Sequence, residues 1–156
     1  MDKNIFNYGF KVKGQVNFRP YDLDWHFIQE EAQSFPNLIT SNGFYELADV
    51  LIGEKAITHI GVGYGTTPAT SGDLDLEHPI PSRIPITESS RTGAICLYST
   101  FLGTTDCNSD NDWAEAILAT GESGNNIVSR ALFTNPFHKN NTRRCYIDWT
   151  LTIATG

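Results

Sequence analysis

At 156 residues the chain is the size of one ordinary domain, long enough to bury a core of its own, and its 40% hydrophobic and 19% charged residues are globular values that require no cofactor for folding. A formal net charge of −7 has the wrong sign for neutralising phosphates, which argues against a nucleic-acid partner. No apolar run approaches the roughly 20 residues needed to cross a bilayer, and the first ten residues lack a basic segment followed by an apolar one, so a soluble chain made without a secretory signal is expected.

The first 34 residues differ in pattern from the rest. Phe10, Val12, Gly14, Val16 and Phe18 alternate with Lys11, Lys13, Gln15 and Asn17, the period of a half-buried strand. Arg19 to Asp22 reads as a turn, and Leu23 to Ile28 as a returning strand, so residues 1–34 are expected to form an N-terminal arm or β-hairpin used in assembly. Glu30-Glu31 and Ser34-Phe35-Pro36 would link it to a main domain over 35–156. The alternative is that residues 10–18 are simply the first strand of the main sandwich. Tyr8, Phe10, Phe18, Tyr21, Trp25 and Phe27 crowd this region, and aromatics bury much area at interfaces for little entropic cost. These six are the candidate assembly interface; otherwise they close the open end of the protein's own core.

The spacing of Phe44, Leu47, Ala48, Leu51 and Ile52 predicts one helix from about Gly43 to Ile52 with a single apolar stripe against a sheet. Ser41 or Asn42 is placed to cap it, and Gly53 suits a left-handed C-terminal position. Ile57 to Ile80 then begins as a strand and dissolves into a long loop rich in Gly, Thr, Pro and Asp. Gly61, Gly63 and Gly65 imply close backbone packing rather than a phosphate cradle. The dinucleotide fingerprint requires a third glycine where Thr66 stands, and the Lys-Ser/Thr pair of a P-loop is missing.

Strands are predicted at Arg83 to Thr87, where Pro85 marks an edge or bulge, at Ala94 to Leu102, and at residues 113–119 and 127–133. The last is the clearest: Cys145, Ile147, Trp149, Leu151 and Ile153 alternate with Tyr146, Asp148, Thr150 and Thr152, one face for a core and the other for solvent. Many short strands with one helix predict a mainly β protein, an antiparallel β-sandwich with one short α-helix and an N-terminal extension.

In order along the chain, Asn37-Leu38-Ile39-Thr40, the helix from Gly43 to Ile52, Gly61 to Pro68 with its Gly-Val-Gly-x-Gly-x-x-Pro pattern, and Ser129-Arg130-Ala131-Leu132 make up a series. Over about residues 35–155 this series resembles a domain of structural proteins of tailed bacteriophages. The resemblance implies a virion component, a tail-fibre, baseplate, collar or head-decoration protein, made in the cytoplasm of a host bacterium. It brings no catalytic residues with it.

The residues themselves offer little reaction chemistry. Asp106, Asn108, Asp110 and Asp112 alternate as in calcium loops, yet Asn111 and Ile117 stand where an EF-hand has Gly and Glu, so an acidic turn is expected. Asp73, Asp75, Glu77, Glu88 and Glu115 are the possible paired carboxylates, and all but Glu115 fall in or near loops. The four histidines have no metal-ligand spacing, no serine stands in a nucleophile elbow, and the three cysteines, Cys96 and Cys145 in apolar strands and Cys107, fit free thiols, with one disulfide as the alternative. Lys139, Arg143 and Arg144 read as a solvated basic turn. The residues thus predict a non-enzymatic protein without cofactor or metal, and the resemblance implies a structural role, a homotrimer or larger ring that contacts other virion proteins. The alternative is a carbohydrate-binding module for host-surface glycans, with Trp25 and Trp113 as stacking residues.

Overall fold

The computed structural model describes residues 9–155, the side chain of Phe10 excepted. Among these residues nine strands, β1 (Phe10–Tyr21), β2 (Gln33–Ile39), β3 (His59–Gly63), β4 (Ile84–Pro85), β5 (Glu88–Thr92), β6 (Ile95–Leu102), β7 (Trp113–Ala119), β8 (Ile127–Phe137) and β9 (Arg144–Thr155), accompany one α-helix, α1 (Ser41–Leu51), and a 3-10 turn at Gln29–Glu31. All strands belong to one sheet in the order β4-β3-β7-β8-β2-β1-β9-β6-β5, and every neighbouring pair is antiparallel. The protein is mainly β, as predicted.

The two edges of this sheet are joined by a two-residue connection. Between β4 and β5 lie only Ile86 and Thr87. The Ile86 amide bonds to the Thr58 carbonyl beside one edge, and the Thr87 amide to the Ser99 carbonyl on the other. Thr100 closes the corner by donating its hydroxyl to the Pro85 carbonyl at 2.7 Å. Pro85, which has no amide to donate, thus sits on an edge strand, where its missing donor costs nothing. A single segment passing from one layer to the other is how orthogonally packed sheets turn their corners, and it curls the sheet into a sandwich-like body.

The core fills the space inside the curl. Val16 and Phe18 of β1, Trp113 of β7, Phe133 and Phe137 of β8, and Cys145, Ile147, Trp149 and Leu151 of β9 are buried there. Phe18 meets Phe137, Phe133 and Trp113 edge-on at 4.6, 5.5 and 6.2 Å between ring centroids, the geometry the aromatic quadrupole prefers. The predicted inward face of β9 holds through Leu151, while Ile153 emerges at the strand end.

Three expectations need correction. Residues 10–34 are not a separate arm: β1 pairs with β9 from Phe10 to Tyr21 and with β2 from Gly14 to Phe18, so both its edges are occupied inside the sheet. The boundary expected after residue 34 falls within β2. Leu23 to Ile28 is a loop whose pairing with the sheet is the single Tyr21–Phe27 bridge, not a hairpin strand. Alternation read the strand period correctly, but partners are set by the curl of the whole sheet.

The helix forms where expected and presents the opposite side. Thr40 caps it, accepting the Gly43 amide at 2.9 Å, and Gly53 takes the left-handed position at φ 79°. Gly43 and Glu46 are buried beneath it, with Leu47 and Val50 half-buried. A Cβ on Gly43 would stand 2.0 Å from the Val128 carbonyl oxygen of β8, so only glycine lets the helix approach the sheet on this side. Four of the five stripe residues, Phe44, Ala48, Leu51 and Ile52, therefore point into solvent.

Candidate functional site

Five aromatic side chains from three strands and one loop meet on the outer face of the sheet. Tyr21, Tyr146 and Phe101 belong to the adjacent strands β1, β9 and β6; Arg19 is paired with Tyr146, and Tyr146 with Phe101. Side chains alternate across a strand, so while Phe18, Cys145 and Leu102 point into the core, these residues point away from it. The loop after β1 adds Trp25 and Phe27. Asp22 shapes that loop by accepting the amides of Asp24 and His26, each at 2.9 Å, through one carboxylate oxygen. Hydrogen bonding from the His26 amide holds the Asp22 carboxyl below its ordinary pKa despite slight desolvation. The turn places Trp25 in the left-handed region at φ 62°, which lays its indole back over the sheet.

The resulting cluster is continuous. Trp25 stacks on Phe101 at 5.7 Å and 22° between planes, Tyr21 lies 6.0 Å from Trp25 and 5.6 Å from Phe27, and Phe101 is 5.1 Å from Tyr146. Two guanidinium groups complete it: Arg144 lies 4.4 Å over the Trp25 ring and Arg19 lies 4.6 Å over Tyr146. Arg19 is fixed by Asp148 at 2.6 and 3.2 Å, and Asp148 also accepts the Ser99 hydroxyl at 2.6 Å. Trp25 and Phe27 nevertheless remain 49% exposed. The patch is preformed and apolar, with cationic edges.

Of the six residues singled out in the sequence, Tyr21, Trp25 and Phe27 come together here. Phe18 does not: it is buried in the core. Tyr8 and the Phe10 side chain lie outside the described residues. Sequence reasoning missed Phe101, Tyr146, Arg19 and Arg144, which are remote in the chain; the outward phase of the alternation in β9 was the available signal for Tyr146 and Arg144.

Of the carboxylates predicted as a possible pair, Asp73, Asp75, Glu77 and Glu115 serve the long loop after β3, whereas Glu88 is exposed on the edge strand β5. Glu115, fully buried on β7, accepts the amides of Gly65, Glu77 and His78 at 2.9, 3.0 and 2.8 Å, and the Arg130 Nε at 2.8 Å. Arg130 also reaches Asp73 at 3.0 Å, and Arg83 joins Asp75 at 3.2 Å. Burial pulls the Arg130 guanidinium down in pKa, but its bonds to Glu115 and Asp73 outweigh that and raise it. For Asp73, desolvation is outweighed by hydrogen bonds from Thr70 and Arg130, which hold the carboxyl below its ordinary value. These acids clamp a loop whose Leu76 covers Ile117, Ala119 and Ile127, which is why every residue of β7 is buried.

The alternating acidic loop does not converge either. Asp106 accepts the Gly103 amide at 2.7 Å, Asp112 pairs with His138 at 2.8 Å, and Asn108 accepts the Nζ of Lys139 at 2.7 Å. Lys139 is fully buried, contrary to its expected place in a solvated turn, and desolvation pushes its pKa down. Arg143 pairs with Glu31 at 2.9 Å and Arg144 belongs to the aromatic patch, so the basic cluster disperses. Trp113 is likewise buried, with its Nε1 donating to the Cys107 carbonyl at 3.1 Å, and cannot stack on a sugar.

The class these features define is a curled antiparallel β domain carrying one outward amphipathic helix and a continuous aromatic patch. Compared with protein-family models, curated proteins and solved structures, the chain matches none.

Proposed function

We propose that the protein is a non-enzymatic structural component of a tailed-phage virion, a fibre, baseplate, collar or head-decoration subunit acting as a homo-oligomer that docks on other virion proteins. The observation that supports this reading is the patch of Tyr21, Trp25, Phe27, Phe101 and Tyr146 edged by Arg19 and Arg144. Trp, Tyr and Arg are the residues that concentrate binding energy at the centres of protein interfaces. A preformed patch also avoids the cost of ordering side chains on binding.

The test is incorporation into particles. Trp25→Ala combined with Phe27→Ala removes half-exposed rings, so the variant is expected to fold with nearly the parental melting temperature and to be depleted from purified virions at least about tenfold, the loss expected from one modest contact. Quantitative mass spectrometry of the same particles gives copy number, many for a lattice decoration and few for a fibre. Absence of the native protein from particles would overturn the proposal. The half-exposed Trp25 also keeps a second reading alive, a host-glycan module; a glycan-array signal abolished by Trp25→Ala, with normal incorporation, would favour it.

A further inference from the structure

The outward face of α1 carries a pattern of its own. Phe44, Tyr45, Leu51 and Ile52 are 55, 73, 75 and 71% exposed, and Ala48 lies among them. Beyond Ile52 the chain turns away at Gly53, with the amides of Glu54 and Lys55 bonded back to the Asp49 carbonyl. The positions 44, 45, 48, 51 and 52 are symmetric about 48. If two such helices lie antiparallel with their Ala48 residues on a two-fold axis, Phe44 of one faces Ile52 of the other and Tyr45 faces Leu51. The small residue falls at the crossing point, where close approach is needed.

Charge allows this register. Asp49 would face Leu47, and Glu54 would face Asn42, so no carboxylate opposes another. Asp49 is in any case 3.4 Å from the Lys55 ammonium of its own chain, which also binds the buried Glu46 at 2.8 Å. Half to three quarters of four large side chains is roughly 500 Å² per copy, or roughly 1,000 Å² for a pair, which reaches the size expected of a specific interface. A contact of this size at the low end of the range is a weak one, of about micromolar affinity.

We propose that α1 is a contact between two copies of this chain, packed antiparallel across a two-fold axis through Ala48. This builds on the assembly reading by naming one contact, and the two are tested separately: the virion role by particle composition, the helix pair by the purified protein alone. Such an isologous contact closes at two copies. Any ring is then joined through a different surface, and the helix pair sets two subunits or two rings face to face.

Sedimentation velocity of the full-length protein over roughly 1 to 200 µM is expected to show a monomer–dimer equilibrium that tightens with salt, because added ions screen the repulsion between two acidic copies. Leu51→Glu, at an exposed site, is expected to leave the melting temperature unchanged and weaken the dimer at least about tenfold. A cysteine on the axis meets its own symmetry mate, and a disulfide needs Cα atoms within about 7 Å. In a Cys96→Ser background, Ala48→Cys is therefore expected to cross-link on oxidation. Tyr45→Cys alone is not expected to do so, whereas Tyr45→Cys with Leu51→Cys is. A protein monomeric throughout the concentration range overturns the proposal, as does a dimer that Leu51→Glu leaves intact. Cross-linking through Tyr45→Cys alone as efficient as through Ala48→Cys overturns the register.

Discussion

Replacing Glu115 by Gln changes almost no volume and tests whether a buried carboxylate holds the long loop in place. One carboxylate oxygen accepts the Gly65 and His78 amides and the other accepts the Glu77 amide and Arg130. Whichever way the new amide is turned, its NH2 faces two donors and both of those bonds are lost. In one orientation Arg130, itself fully buried, keeps only Asp73, whose side chain is partly exposed; in the other the Gly65 and His78 amides are stranded. Breaking a buried pair by removing one partner costs about 3–5 kcal/mol, and each stranded donor about 1–3. The contributions overlap, so about 4 kcal/mol is expected, a fall in melting temperature of about 8–16 °C for a domain of this size. Urea denaturation followed by tryptophan fluorescence measures it. Adding Arg130→Met to Glu115→Gln should recover only part of the loss, because the NH2 of the new amide still faces at least one of the three loop amides. Full recovery would mean that Glu115 serves only to neutralise Arg130; a single variant melting within about 3 °C of the parent would refute the tethering role altogether.

Three further outcomes follow from the same structure. Trp149→Ala empties a fully buried site on β9 and should cost about 3–5 kcal/mol, near 10 °C in melting temperature, so a variant melting within a degree or two of the parent would count against the face assignment. The Asp73 carboxyl is held below its ordinary pKa of 3.8, so the stability it contributes is present above that pH and lost as pH falls through the folded value. Asp73→Asn should therefore lower the melting temperature at pH 7, with a loss that shrinks as the pH is taken down below 3.8, and a loss independent of pH would contradict the ion pair. Burial, reinforced by Asp106, pushes the Cys107 thiol up to about 11. Because the thiolate is the nucleophile, its alkylation by iodoacetamide at pH 8 should be about a hundredfold slower in the folded chain than in the urea-unfolded one, as peptide mapping by mass spectrometry would read.

How much was legible beforehand depended on whether a residue's environment is set by its neighbours in the chain or by distant strands. Strand period is local, so β1, β6 and β9 were visible from alternation, and the inward faces of β1 and β9 were read correctly through Phe18 and Leu151. The helix, with Gly53 as its stop, was equally local. Its orientation was not. Five apolar residues on one stripe ordinarily mark the buried side, but the contact with β8 is decided by Gly43, where any side chain would strike the Val128 carbonyl, and by Glu46, whose carboxylate is satisfied by Lys55 and Thr120. Packing clearance overrode hydrophobic count.

The aromatic site divides in the same way. Trp25 and Phe27 were visible as aromatics clustered in sequence, but Phe101 and Tyr146 join them through strand pairing across intervals of dozens of residues. Arg19, read as part of a turn, is fixed in the sheet by an aspartate on β9. Gly63 and Gly65 were recognised as requiring close approach. What approaches them, the His78 carbonyl and the Glu115 carboxylate, follows only from the loop folding back over β7.

The amino-acid sequence by itself determined the mainly β class, the strand and helix periods, the edge character of Pro85 and the absence of familiar nucleotide and metal-ligand spacings, because each of these rests on backbone preferences and spacing within a few residues. Tertiary structure alone decided that β1 lies inside the sheet, that Lys139 is buried, and that α1 shows its apolar side to solvent. These depend on which strands become neighbours when nine of them curl around one core, and that choice is made by the packing of residues far apart in the chain.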